Sequence, residues 1–480
     1  MKSNVYSTFP KTFWIANLVE LFERWAWYGL FAILALFLTG STDEGALGFS
    51  QTEKGTIMGT VSFILYFLPV ITGAIADRYG YKKILLLSFG ILASGYLLLS
   101  KFTGYNAVFM VLLFAAIGGA FFKPVISATI SRTTNDGNSS IGFGIFYMMV
   151  NIGAFVGPFF ASKLRQYDWE FVFYMSAFIT AVNFILVLFF YKEPVSDMPK
   201  NNKKIGAVIV ETFSNIGKVL LDIKYILFLL IITGFWAMYF QLFYSLPVFI
   251  SQWVDTSVIY NVLHAISPAL SSTFGTAEGT IAPEMLTNID AMYIIMFQII
   301  VSSLVMRIKP LTAMSTGFLV SAIGIALMFA FRNPFILVGS ILIFGLGEMS
   351  CSPKTTEYIG KIAPKDKVAL YIGTSFIPLA GGNIFAGILS GKIFETIADK
   401  KTLILNDAVL SKFNYPEISS TFTINKFYEL AASNLKMSPA QLTEYLWNQH
   451  HPWHIAFVYG GIGLFAFLMM ILYDRFLAKR

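Results

Sequence analysis

Twelve long apolar runs constrain this chain more than any other feature. The first six lie at roughly residues 13–40, 52–77, 82–101, 106–131, 141–165 and 170–191. The second six lie at roughly 225–251, 288–306, 312–331, 335–353, 368–396 and 453–475. A helix of about 18 or more apolar residues crosses a hydrocarbon core of about 30 Å. Inside lipid every backbone N–H and C=O has to be satisfied by the segment itself, so repeated helical crossing is the available solution. Only 13% of the 480 residues are charged and 56% are hydrophobic, whereas a soluble chain carries about 25% charged residues. The fold class read from the pattern is an all-α integral membrane protein with twelve transmembrane helices in two six-helix bundles.

The expected division is an N-terminal bundle at 1–191, a linker at 192–224 and a C-terminal bundle at 225–480 with an insert at 397–452. The linker stretch "YKEPVSDMPKNNKKIG" is polar and rich in lysine, and "NIGKVLLDIK" reads as a short surface helix. Lys2, Lys11, Arg78, Lys82, Lys83, Arg132, the linker lysines, Arg307, Lys309, Lys354, Lys361, Lys365, Lys367, Arg475, Lys479 and Arg480 would all share one side. Cytoplasmic loops carry the excess of Lys and Arg, so both termini and the linker are expected in the cytoplasm. That placement accounts for the net charge of +7 without a nucleic-acid partner. The first apolar run is too long and too charged for a cleaved signal peptide and is expected to remain as the first helix. A single cysteine, Cys351, excludes an intramolecular disulfide. Two segments on the other side are long, 252–287 and 397–452. The second reads as a small, partly helical subdomain, either a lid or, the reading preferred here, a solvated insertion. The compact loops and near absence of cysteine fit a bacterial inner membrane.

The first run contains "ELFERWAWYG", three ionisable groups within five residues. A charge at the bilayer centre costs about 2.5–3.5 kcal/mol on insertion scales, and such residues face a bundle interior and have partners. Glu20, Arg24 and Tyr28 fall at i, i+4 and i+8, one stripe of a helix; Glu23 lies beside it. Two acids and one base leave a negative charge over, to be met by a proton or another cation. Burial and a nearby cation act on a carboxyl in opposite directions, and that competition is what a reversible proton site needs. Lys123, deep in the fourth run, is the candidate cation. The alternative is a structural ion pair that locks two helices.

After the second run comes "GAIADRYGYKK", with Gly73, Asp77, Arg78 and Gly80. An acid at a helix end, a glycine turn and basic residues form an inner latch. The spacing resembles the signature loop of the major facilitator superfamily, which implies the major facilitator fold. The matching loop of the second half, "MRIKPLTAM", is degenerate.

Four segments in order carry a closer resemblance: "ELFERWAWYG", "FFKPVIS", "FYMMVNIGAFVGP" and "GEMSCSPKTTEYIGKIAPKD". They resemble the first-, fourth-, fifth- and tenth-helix signatures of the proton-dependent oligopeptide transporters. The resemblance implies a proton-coupling set of Glu20, Glu23, Arg24 and Lys123, with Lys123 near the substrate carboxylate. It implies pocket roles for Tyr28, Tyr66 and Asn151 in the first half and for Trp236, Asn288, Glu348 and Ser352 in the second. Lys123 and Glu348 would then be the positive and negative poles of one pocket, suited to a zwitterion such as a dipeptide. Three positions depart from the family. A gate arginine is replaced by Phe31, its seventh-helix glutamate partner by Phe240, and an eleventh-helix tryptophan by Ser375. An aromatic contact is expected in place of the ionic gate.

The function implied is proton-coupled import of di- or tripeptides or related solutes by alternating access, with the proton as coupling ion and no other cofactor. A different zwitterionic or anionic solute is the alternative, and a non-transporting peptide sensor is less favoured. The chain carries no nucleotide-binding lysine motif, catalytic triad or metalloprotease helix, and no enzymatic activity is expected. "NQHHPWH" groups His450, His451 and His454; the preferred reading is an interfacial polar ring, with no metal. The expected partners are the lipid bilayer and a small solute, and the expected state is a monomer.

Overall fold

The computed structural model describes residues 8–135, 137–194, 205–364, 371 and 373–478. Lys2, Lys200, Lys203, Lys204, Lys365, Lys367, Lys479 and Arg480 lie outside them. Among the described residues the chain is helical without a named strand. Eleven helices among the described residues are long and apolar enough to cross a membrane. A twelfth span is the pair Gln51–Phe67 and Pro69–Tyr79, bent by 42°. The protein is thus a multi-pass membrane protein.

The breaks follow local chemistry. Pro69 has no N–H to donate and its ring crowds the preceding turn, so the second span bends where the sequence reads as one straight run. Ser50 and Glu53 close a capping box at its start. The seventh span, expected as one helix over 225–251, is three segments: Ile223–Tyr239, Gln241–Tyr244 and Leu246–Trp253. The linker helix runs over Ile205–Val219, earlier than "NIGKVLLDIK" implies. The next helix starts where Asp222 accepts from the backbone N–H groups of Lys224 and Tyr225. The eleventh span continues from Phe376–Ile388 through a π turn at Leu389–Ile393.

The two sets of six spans approach each other closely at the end that carries the 397–452 insert. There the second and eleventh spans cross on glycines. A Cβ placed on Gly55 would lie 2.2 Å from the Gly387 carbonyl oxygen, and one on Gly387 would lie 2.4 Å from that of Gly55. Among the described residues, the hydrogen bonds joining the two sets lie toward this insert end or at mid-depth. Gln51 donates to Asp399 at 3.0 Å, Lys54 to the Tyr244 carbonyl at 2.9 Å, and Asn288 to the Phe155 carbonyl at 2.9 Å. The insert joins in, with Asn425 Nδ2 donating to Glu44 at 2.8 Å. It therefore touches both sets, more than the expectation of a merely solvated insertion.

Candidate transport site

The first span, Lys11–Thr39, brings Glu20, Glu23, Arg24 and Tyr28 to its buried side. Arg24 Nε lies 3.2 Å from Glu20 Oε1, and the same guanidinium pairs with Glu23. All three side chains are more than nine-tenths buried. Gly153 of the fifth span makes this packing possible: a Cβ there would sit 2.6 Å from that of Arg24. Lys123 does not take up the spare carboxylate. Its ammonium stands over the Tyr66 ring, 3.9 Å from the centroid, a cation–π contact. The proline that follows, Pro124, leaves the Ala120 carbonyl without its helical donor, and the Thr72 hydroxyl fills that role at 2.6 Å.

A central cavity of about 290 Å³ lies between the two sets of spans. Tyr28, Phe31, Tyr66 and Asn151 line it from the first set. Trp236, Phe240, Asn288, Glu348 and Ser352 line it from the second. A neighbouring cavity of about 460 Å³ holds Glu20, Arg24 and Lys123. Where one pocket with Lys123 and Glu348 as its poles is expected, this structure has the two lining separate cavities. The Tyr66 ring lines the central cavity and covers the Lys123 ammonium on its other side. Glu23 is turned to Arg24. Thr374 and Phe376, on either side of Ser375, line the Lys123 cavity.

The polar pocket residues are held locally. Asn151 Nδ2 donates to the Tyr147 carbonyl at 2.8 Å. Glu348 Oε1 accepts from the Tyr239 hydroxyl at 3.0 Å, and its Oε2 has no hydrogen-bond partner among the described residues. Trp236 packs edge-on against Tyr239, ring centroids 4.9 Å apart. Phe31 meets Phe243 and Tyr244 of the seventh span, at 5.7 and 6.0 Å. Phe240 meets Tyr66 of the second span at 6.2 Å and Tyr244 at 6.0 Å. Tyr244 thus bridges the two phenylalanines, and its hydroxyl donates to Asn383 Oδ1 at 2.7 Å.

Several residues escaped the sequence reading. Asp290, also lining the central cavity, is the lone acid of the eighth span and would have been found by asking for any charge inside a membrane run. Glu284 is fully buried and pairs with Arg165 of the fifth span's end at 2.5 Å, an ionic contact across the two sets. It lies in a segment that reads as a loop. Lys54 is also fully buried, bound to Gln51 Oε1 at 2.8 Å; it stands near the start of its run, where a lysine looks like a surface residue.

A model of the Major Facilitator Superfamily matches residues 16–277, more than half of the chain. The chain belongs to the Major Facilitator Superfamily. It is a transporter, as the superfamily and its relatives are, and not an enzyme. Dipeptide and tripeptide permease A of Escherichia coli (strain K12) is 25% identical over 448 residues, 80% of this chain and 84% of that protein. The crystal structure of a POT family transporter in complex with 5-aminolevulinic acid superposes with a TM-score of 0.70 at 18% identity, covering 99% of each chain. A nucleoside transporter superposes with a TM-score of 0.67 at 13% identity, covering 96% of this chain and 99% of that one. The fold is shared with both of these solved structures, and the fold alone does not choose the cargo.

The superfamily loop is tied to the helices around it. Arg132 of the fourth span donates to Asp77 at 2.9 Å, and the Tyr81 hydroxyl donates to the same oxygen at 2.8 Å. Gly80 has φ +94°, a region that favours glycine. Glu193, after the sixth span, accepts from the backbone N–H groups of Tyr81 and Lys82. Gly73 packs against Pro124, where a Cβ would sit 3.4 Å from that ring. Arg78 stacks beside Tyr79 at 5.8 Å. Of the three histidines, His450 binds Asp407 at 2.9 Å. Among the described residues no group of His, Cys, Asp or Glu is arranged to hold a metal ion.

Proposed function

We propose that this transporter is a proton-coupled symporter that imports di- and tripeptides or related peptide-like solutes. The observation that carries the reading is the buried Glu20–Arg24–Glu23 set, one ring away from a cavity whose far wall bears Glu348. The dipeptide and tripeptide permease relatives support it, as does the pocket size, near the lower end of the range of about 300–1,000 Å³ for small-ligand sites. Both termini face the cytoplasm of a bacterial inner membrane, the insert faces outward, and the protein acts as a monomer of two six-helix bundles. The structure then corresponds to the outward-closed half of an alternating-access cycle.

Glu20 and Glu23 are the proton carriers and Arg24 is their counter-ion. A proton on Glu23 removes its attraction to Arg24, and the guanidinium then turns toward Lys123 and the arriving substrate carboxylate. Tyr66 moves aside to join the two cavities, which places Lys123 at the carboxylate end and Glu348 at the ammonium end. Tyr28, Asn151, Trp236, Asn288 and Ser352 fix the backbone between these poles. Release of proton and solute on the inner side restores both ion pairs.

A second reading, transport of another zwitterionic or anionic solute, is favoured by Phe31, Phe240 and the added acid Asp290. Purified protein in liposomes with an inward proton gradient and a panel of labelled solutes decides between them. Peptide accumulation that collapses with a protonophore upholds the first reading. Gradient-driven uptake of another solute with peptides inert upholds the second, and binding without flux would refute both.

A further inference from the structure

The second set of spans brings two carboxylates to one wall of the central cavity. Asp290 is 4% exposed and its Oδ1 has no hydrogen-bond partner among the described residues. Glu348 Oε2 has none either. Asp290 lies against the tenth span where Gly345 makes room: a Cβ on Gly345 would stand 2.8 Å from Asp290 Oδ1. Gly345 and Glu348 are three residues apart on that helix, hence on one face. The groups that face the pair are Tyr28 from the first span, Tyr147 from the fifth, Tyr239 from the seventh and Cys351 from the tenth. None of these is charged at neutral pH, and among the described residues no Lys, Arg or His pairs with either carboxylate.

Two ionised carboxylates lining one cavity repel, and one of them takes a proton unless a cation stands between them. We propose that Asp290 and Glu348 share one proton and form a second coupling site, in addition to Glu20 and Glu23. Charge counting gives the consequence. In the first set Glu20, Glu23, Arg24 and Lys123 sum to zero, so one proton there balances the substrate carboxylate. In the second set the substrate ammonium balances only one of two negative charges. A zwitterionic peptide therefore travels with a proton left on this pair. A peptide with a second ammonium beside its N-terminus brings both positive charges itself, and the proton returns to solvent before loading.

The inference rests on the peptide-transport reading for its flux arm, and on spectroscopy for the other. Proton-to-peptide ratios are measured from reversal potentials in proteoliposomes with dialanine and lysyl-alanine. The wild type is expected to carry one proton more with dialanine than with lysyl-alanine, and Asp290→Asn to lose that difference. Equal ratios in the wild type would overturn the proposal. Independently, the infrared carbonyl band of a protonated carboxylic acid is recorded in substrate-free protein. It is expected to shrink by one group in Asp290→Asn and likewise in Glu348→Gln, and to persist in Glu284→Gln, whose carboxylate belongs to Arg165. A band unchanged in both pocket variants would overturn the proposal even if peptides are transported. A band lost in them without peptide flux would uphold the shared proton and refute the transport reading.

Discussion

Replacing Arg165 by methionine should open the insert end of the transporter. In the structure the Arg165 guanidinium reaches Glu284 at 2.5 and 3.0 Å, and the Glu284 side chain is fully buried. Removing one partner of a buried ion pair costs about 3–5 kcal/mol, because the other charge is left without compensation. A fifth of the Arg165 side chain remains exposed, so water screens part of this and about 2–3 kcal/mol is the better figure. The pair forms between the two sets of spans, and separating them hydrates Glu284. The penalty therefore falls on the closed arrangement alone, and the closed-to-open ratio drops about 30- to 150-fold at 1.4 kcal/mol per tenfold. Spin labels at Tyr167 and Val409, exposed at the insert end on opposite sets, report the opening as a longer distance by pulsed electron resonance. The buried Cys351 does not compete for labelling. Arg165→Met with Glu284→Gln carries no stranded charge and should return most of the population to the short distance. An unchanged distance in the single variant would refute the assignment of this pair to closure.

Gly387→Val places two methyl groups where even a Cβ meets the Gly55 carbonyl at 2.4 Å; the same spin-label distance should lengthen, and exchange transport should slow at least tenfold. Glu23→Gln keeps the shape but not the proton, so uphill accumulation should vanish while counterflow of labelled peptide persists; accumulation at the wild-type level would remove Glu23 from coupling. In the insert, burial raises the proton affinity of Asp407, but hydrogen bonds from the Leu410 and Val409 amides, His450 and Tyr445 outweigh it and hold the carboxyl below its ordinary value. Its contribution is thus complete above the unfolded value of about 3.9 and fades as pH falls through the lower folded one. Hydrogen exchange across residues 397–452 should quicken in that acid window, and in Asp407→Asn it should already be quick above it.

The span count, the charged stripe of the first helix and most cavity residues are legible in the sequence because each rests on one-dimensional spacing. Hydropathy marks the spans, and i, i+4 spacing joins Glu20 to Arg24. What the sequence hides is which charge meets which across two sets of helices. Lys123 and the acids are near neighbours, yet Arg24 takes both carboxylates and Lys123 rests on Tyr66. An aromatic contact is expected at Phe31 and Phe240, and in the structure each of them packs against Tyr244. The ionic closure was not lost with those two positions: Arg165 and Glu284 supply one elsewhere. Both sit at span ends, where charge is ordinary and draws no notice.

Proton and peptide movement measured together test the central claim most directly. Proteoliposomes with a pH-sensitive dye inside and no imposed gradient receive dialanine outside. The proposed symport acidifies the lumen as peptide enters, and Glu23→Gln abolishes the acidification. Peptide entry with a constant lumenal pH would contradict it.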